Sequence, residues 1–142
     1  MENRPDIEGS LLVTNVFGYW PGFHDAEVRK LELKVTDDFV VGPDLIADIH
    51  AFEMTREVSS SGHYVLRNHV LVTIRFRGID NLEIGGFNNQ NALMGLRIED
   101  IRARQLENVK FDVSFDSSWG VGAKFVCREV VVERVQPWEP EQ

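Results

Sequence analysis

Along most of the chain, hydrophobic residues recur at every second position, the period of a strand with one buried and one wet face. Val109, Phe111, Val113 and Phe115 alternate with Lys110, Asp112, Ser114 and Asp116, and Leu31, Leu33 and Val35 alternate with Glu32 and Lys34. Val70, Val72, Ile74 and Phe76 repeat the pattern against Thr73, Arg75 and Arg77, with Leu71 interrupting the polar row. Leu45 to Met54 is also strand-like, although Asp48 and His50 share a face with Ile46 and Phe52. Phe125 to Val135, with valines at 130, 131 and 132, predicts a strand covered on both faces. Val58 to Gly62 predicts a loop between two strands, and Ser117 to Gly122 a hairpin loop.

A helical period is clear only once. Ser10 is placed to cap a short helix in which Leu12, Val13, Val16 and Phe17 share a face, and Gly18 is placed to end it. Asn91 to Arg104 fits either period, but Gly95 would weaken a helix by ~1 kcal/mol relative to alanine, which favours a strand beginning near it. With no strand–helix–strand alternation, the expected class is α+β, dominated by about seven antiparallel strands with one short N-terminal helix. Residues 1–142 are expected to form a single domain with an ordered core over about 10–136. The end of the chain, PWEPEQ, is expected to fray after Val135.

Composition fits a globular domain, with 43% hydrophobic and 27% charged residues. Nothing approaches the ~18 consecutive apolar residues of a membrane span, and the start of the chain is acidic and polar, so the expectation is a cytoplasmic protein with no membrane partner. The net charge of −8 is uneven: residues 37–57 carry six carboxylates against one arginine. Such a balance disfavours direct contact with nucleic acid and attracts basic partners.

The residues with the most chemistry lie at Phe17-Gly18-Tyr19-Trp20-Pro21-Gly22-Phe23-His24-Asp25-Ala26-Glu27. One possibility is catalytic or metal-binding, with His24 as a base, or with His24, Asp25 and Glu27 as ligands, in a small hydrolase or metal enzyme. Adjacent strand residues point to opposite faces, so that requires the backbone to turn at His24. The other possibility, the favoured one, is a helix-to-strand corner: Tyr19, Trp20 and Phe23 fill the core, Pro21-Gly22 turns the chain, and Asp25 binds nearby amides. His50, His63 and His69 lack the close pairing of zinc motifs, and one cysteine, Cys127, excludes a disulfide within the chain. No metal, cofactor or enzymatic activity is expected. Asn88, Asn89, Gln90 and Asn91 offer either a hydrogen-bonding recognition loop or a polar tie between strands.

The segment from Phe17 to Val28 resembles the opening signature of the Immunity protein 50 family of bacterial polymorphic toxin systems. Also similar are His63-Tyr64-Val65-Leu66 with His69, Arg75-Phe76, Gly86-Phe87-Asn88 with Gln90-Asn91, Phe125 with Cys127, and Pro137, so the resemblance spans about 11–137. It supplies no catalytic residues. It implies a bacterial protein that binds a cognate toxin domain stoichiometrically and blocks it; a basic nuclease is one candidate partner, and homodimerisation stays open. Asp37, Asp38, Asp44, Asp48, Glu53 and Glu57, with Asn88, Asn89 and Asn91, are the candidate partner-binding residues. Phe17, Gly18, Trp20, Pro21, Phe23, His24, Asp25 and Glu27 are expected to be structural. An intracellular ligand-binding or assembly module is the remaining alternative.

Overall fold

The computed structural model describes residues 3–138. Helix α1 (Leu11–Phe17) is followed by β1 (Glu27–Lys34), β2 (Asp44–Val58), β3 (Tyr64–Arg77), β4 (Asp80–Gly85), β5 (Ala92–Asp100), β6 (Phe111–Trp119), β7 (Gly122–Cys127) and β8 (Glu129–Pro137). A three-residue 3-10 turn (Arg102–Arg104) lies between β5 and β6. The class is α+β, with eight strands rather than seven. They form one antiparallel sheet in the order β4-β7-β6-β5-β1-β2-β3-β8.

The sheet folds on itself about a narrow join. β1 and β5 share one register pair, Glu27 with Ala92, reinforced by Val28 N–H donating to the Asn91 carbonyl and Leu93 N–H to that of Ala26. Beyond Val28, β1 pairs only with β2. The two four-stranded halves meet face to face: the Phe76 ring of β3 lies 5.8 Å from Phe115 of β6 and 5.1 Å from Phe125 of β7. Leu45, Ala47 and Ile49 of β2 and Val72 and Ile74 of β3 line the same core, as their period-two pattern requires. On β8 and β3 the helix lays Val13 and Phe17, but Leu12 stays exposed. Ser10 occupies the N-cap position without a side-chain bond, whereas Gly18 takes a left-handed φ of 84° and its N–H closes the helix on Thr14.

Several local expectations change. Phe125 to Val135 is two strands, because the chain turns at Arg128 and carries β7 and β8 into opposite halves of the sheet. β4 is the additional strand, and β6 begins at Phe111 rather than Val109. The chain does not fray at Val135: β8 runs to Pro137, and Trp138 donates its N–H to His69 and stacks on His50 at 4.6 Å. Residues 139–142 lie outside the described residues. At the other end Ile7 is buried and Glu8 bridges to Val131, so the core takes in residues before 10.

Candidate functional site

The aromatic motif forms the corner between α1 and β1. Trp20 and Phe23 are buried, edge to face at 5.6 Å. Tyr19 is 38% exposed and does not join them. Phe23 and Asp25 both adopt positive φ, 59° and 65°, and this turn brings His24 beside Asp25, with Nε2 3.5 Å from Oδ2. The His24 Nδ1 lies 3.0 Å from the Met94 carbonyl, so that nitrogen carries the proton and Nε2 accepts when the ring is neutral. Among the described residues the Asp25 carboxylate bonds no backbone amide; its own N–H donates to the Leu93 carbonyl. Glu27 turns to Arg29 at 3.0 Å, so the three residues do not converge: His24 lies beside Asp25, and Glu27 is paired elsewhere. Among the described residues, no three His, Cys, Asp or Glu side chains gather as metal ligands would.

Other unusual residues are held in structural contacts. His50 Nε2 lies 3.0 Å from His69 Nδ1 between Phe52 and Trp138, with Arg29 over the Trp138 ring at 5.2 Å. Burial, and then the neighbouring His69, lower the pKa of His50. Burial pushes the Cys127 thiol up to about 12. Asn91 is 2% exposed, and its amide is fully engaged. Oδ1 accepts from Asn88 N–H at 3.0 Å and Val121 N–H at 3.1 Å, while Nδ2 donates to the carbonyls of Asn88 at 2.7 Å and Val28 at 3.4 Å. Asn88 closes the same loop on Gly86 and Gln90, which leaves Asn89 exposed. Gly120 completes the tie: at φ 84°, any Cβ there would come within 2.3 Å of the Gln90 carbonyl oxygen.

The acidic residues at 37–57 separate by environment. Asp44 is 4% exposed and bound to Arg75 at 2.7 Å, and Arg75 also reaches Glu133 at 3.3 Å. Asp48 accepts from Thr73 at 2.6 Å, Glu53 from Asn68 at 2.9 Å, and Glu57 pairs with Arg67 at 2.6 Å. Asp38 is exposed but accepts the N–H groups of Val40 and Val41, at 3.0 and 3.1 Å, to shape the β1–β2 loop. Asp37 alone is exposed with no side-chain bond among the described residues.

That loop presents Phe39, at 94% the most exposed large hydrophobic among the described residues, beside exposed Val40, Val35 and Leu33. The loop is built rather than loose: Thr36 donates to the Gly42 carbonyl at 2.7 Å, and Ile79 N–H donates to Pro43 at 2.9 Å, fixing the start of β4 against it. Between them lies a cavity of about 340 Å³, lined by apolar Leu33, Val35, Ile79 and Leu82 and by Lys34, Asp44, Asp80 and Asn81. Around this end of the molecule, residues 33–44 and 79–84 hold five carboxylates against Lys34 alone. Exposed apolar groups inside a polar rim are the anatomy of a protein-binding surface. Sequence patterning had singled out the acids here but not Phe39, Leu33, Asp80 or Leu82. Their available signal is the apolar run Phe39-Val40-Val41 set between Asp37-Asp38 and Gly42-Pro43, where turn residues predict an exposed loop. A second exposed apolar surface, Met54, Val58, Tyr64 and Leu66 on the projecting β2–β3 arm, has its acids Glu53 and Glu57 already bonded within the arm.

The family model described as Immunity protein 50 matches residues 9–138, taking in the corner motif, the asparagine loop and all eight strands. No curated protein and no solved structure matches the chain.

Proposed function

We propose that this chain, which belongs to the Immunity protein 50 family, binds a cognate toxin domain in a stoichiometric complex and holds it inactive. The family match over nearly the whole chain carries the reading. The surface at the β1–β2 loop supports a binding rather than a catalytic role. Phe39 lies in water with almost its entire side chain exposed, and covering it with a partner would contribute ~1.5–3 kcal/mol. The surrounding carboxylates favour a partner with a basic face, and toxin domains that act on nucleic acid are of that kind.

Co-expression with a cognate toxin domain tests the proposal. Cells making both proteins should grow, and the two should elute together at one-to-one stoichiometry. Toxicity undiminished while both proteins accumulate in folded form would refute it.

A further inference from the structure

We propose that the His50–His69 pair is an acid-opened latch that holds the end of β8 and Trp138 on the sheet. Trp138 forms the last rung of the β3–β8 ladder, one step past the Val70–Pro137 register pair: its N–H donates to the His69 carbonyl at 3.1 Å. Its indole stacks on the His50 ring at 4.6 Å, with the Arg29 guanidinium 5.2 Å from the same indole. The two histidines thus hold this tryptophan by backbone and by ring. They hold each other through the 3.0 Å contact of His50 Nε2 with His69 Nδ1.

That contact needs one proton between two nitrogens, since one must donate and the other accept. A neutral pair satisfies it. So does a singly charged pair, whose added proton goes to a nitrogen outside the contact. A doubly charged pair does not: both facing nitrogens then carry protons and two like charges lie side by side, so the rings must part. The surroundings oppose the second proton. On β1, Glu27 favours charge on His50 but is already paired with Arg29 at 3.0 Å, and Arg29 disfavours it, as do burial and His69 on β3. On β2 itself, Asp48 is bound to Thr73 and Glu53 to Asn68. From β8 come Arg134, opposite Thr73, and the uncharged Gln136 and Trp138. The second proton therefore enters below the ordinary histidine value of ~6.5, and it enters with opening. Opening stays local. Val130 and Val132 anchor the start of β8 in the core and Glu8 bridges to Val131, whereas Gln136 and Pro137 are exposed.

Proton–nitrogen NMR of the whole chain between about pH 7.5 and 5, with the histidine Cε1–H signals followed in parallel, tests the latch. Protection of the Trp138 N–H from exchange, corrected for the intrinsic pH dependence, should fall by up to roughly tenfold per pH unit as the pair charges, the slope for one added proton. The Gln136 and Trp138 signals should move with the same midpoint as the histidines, while Val72 and Val121 stay unchanged. His50→Phe keeps a ring against Trp138 and takes no proton, so Trp138 should stay docked throughout the range. His69→Gln is the second variant, with the same expectation, because His50 then faces no second charge. Unchanged Trp138 signals across the range, the same acid shift in either folded variant, or signals changing throughout the chain at one midpoint would overturn the latch.

Discussion

Replacing Asn91 separates a structural asparagine loop from a recognition loop. In Asn91→Ala, the Val121 N–H, buried behind the loop, loses its acceptor, as does the partly buried Asn88 N–H. Each buried group left unpaired costs ~1–3 kcal/mol, so the variant should lose about 3 kcal/mol of folding free energy once partial access of water to Asn88 is allowed for. Asn91→Asp is the sharper perturbation. It keeps an acceptor for both amides but turns the second oxygen toward the carbonyls of Asn88 and Val28, which now receive no proton. A buried carboxylate in that position favours its protonated form, so its folded-state pKa rises above the unfolded value. The sign follows: relative to the unaltered chain, Asn91→Asp should be least destabilised below pH 4 and progressively worse as pH rises toward 7. Urea unfolding at several pH values measures both effects, and hydrogen exchange at Val121 N–H reports the local bond. A loss below about 1 kcal/mol in Asn91→Ala with Val121 still protected, or an Asn91→Asp penalty that does not change with pH, would refute the tie.

Trp20→Ala should cost ~3–5 kcal/mol in equilibrium denaturation, because it empties a buried indole site that Phe23 packs against edge-on. His50 has its pKa lowered in the fold, so the stability it contributes is present above the ordinary histidine value and lost as pH falls through the lowered one; His50→Gln should flatten that loss in urea unfolding between pH 7.5 and 5. Cys127, pushed up to about 12, should resist iodoacetamide at pH 8 until denaturant opens the core. Asp37→Lys should slow association with the toxin domain at low salt and leave folding unchanged. Asp38→Lys should also destabilise the loop by about 1 kcal/mol, since it removes the acceptor for Val40 and Val41.

Period-two patterning located β2, β3 and β6, because each buries one face against the shared core; it also located β1, although there only Val28 is buried and Leu33 stays exposed. It missed β4, whose burial is slight and whose Asn81 adopts a φ of 55°; pairing to β7, rather than alternation, makes this segment a strand. The valine run after Phe125 misled for a related reason. Local hydrophobicity signals burial but not which neighbour provides it, and here the neighbours of β7 and β8 lie in opposite halves of the sheet. The corner motif was legible in Trp20 and Phe23, whose bulk demands burial. The positive φ angles at Phe23 and Asp25, which bring His24 to Asp25, carry no sequence signal, since neither residue is a glycine.

Net charge and the surroundings of each acid are separate kinds of information. A run of acids sets the sign of the long-range field, and that depends little on where each side chain points. Availability for contact depends on cross-strand register, which places Asp48 opposite Thr73 and Asp44 next to Arg75 in the folded sheet. Most of these carboxylates are therefore already spoken for, and only Asp37 is both exposed and unbonded among the described residues. The exception within the paired set is half of one group: Asp44 satisfies Arg75 with one oxygen and leaves the other buried without a donor. A sequence cannot distinguish a carboxylate with two engaged oxygens from one with a single engaged oxygen. The folded sheet does, because register decides which donors come within reach of each oxygen.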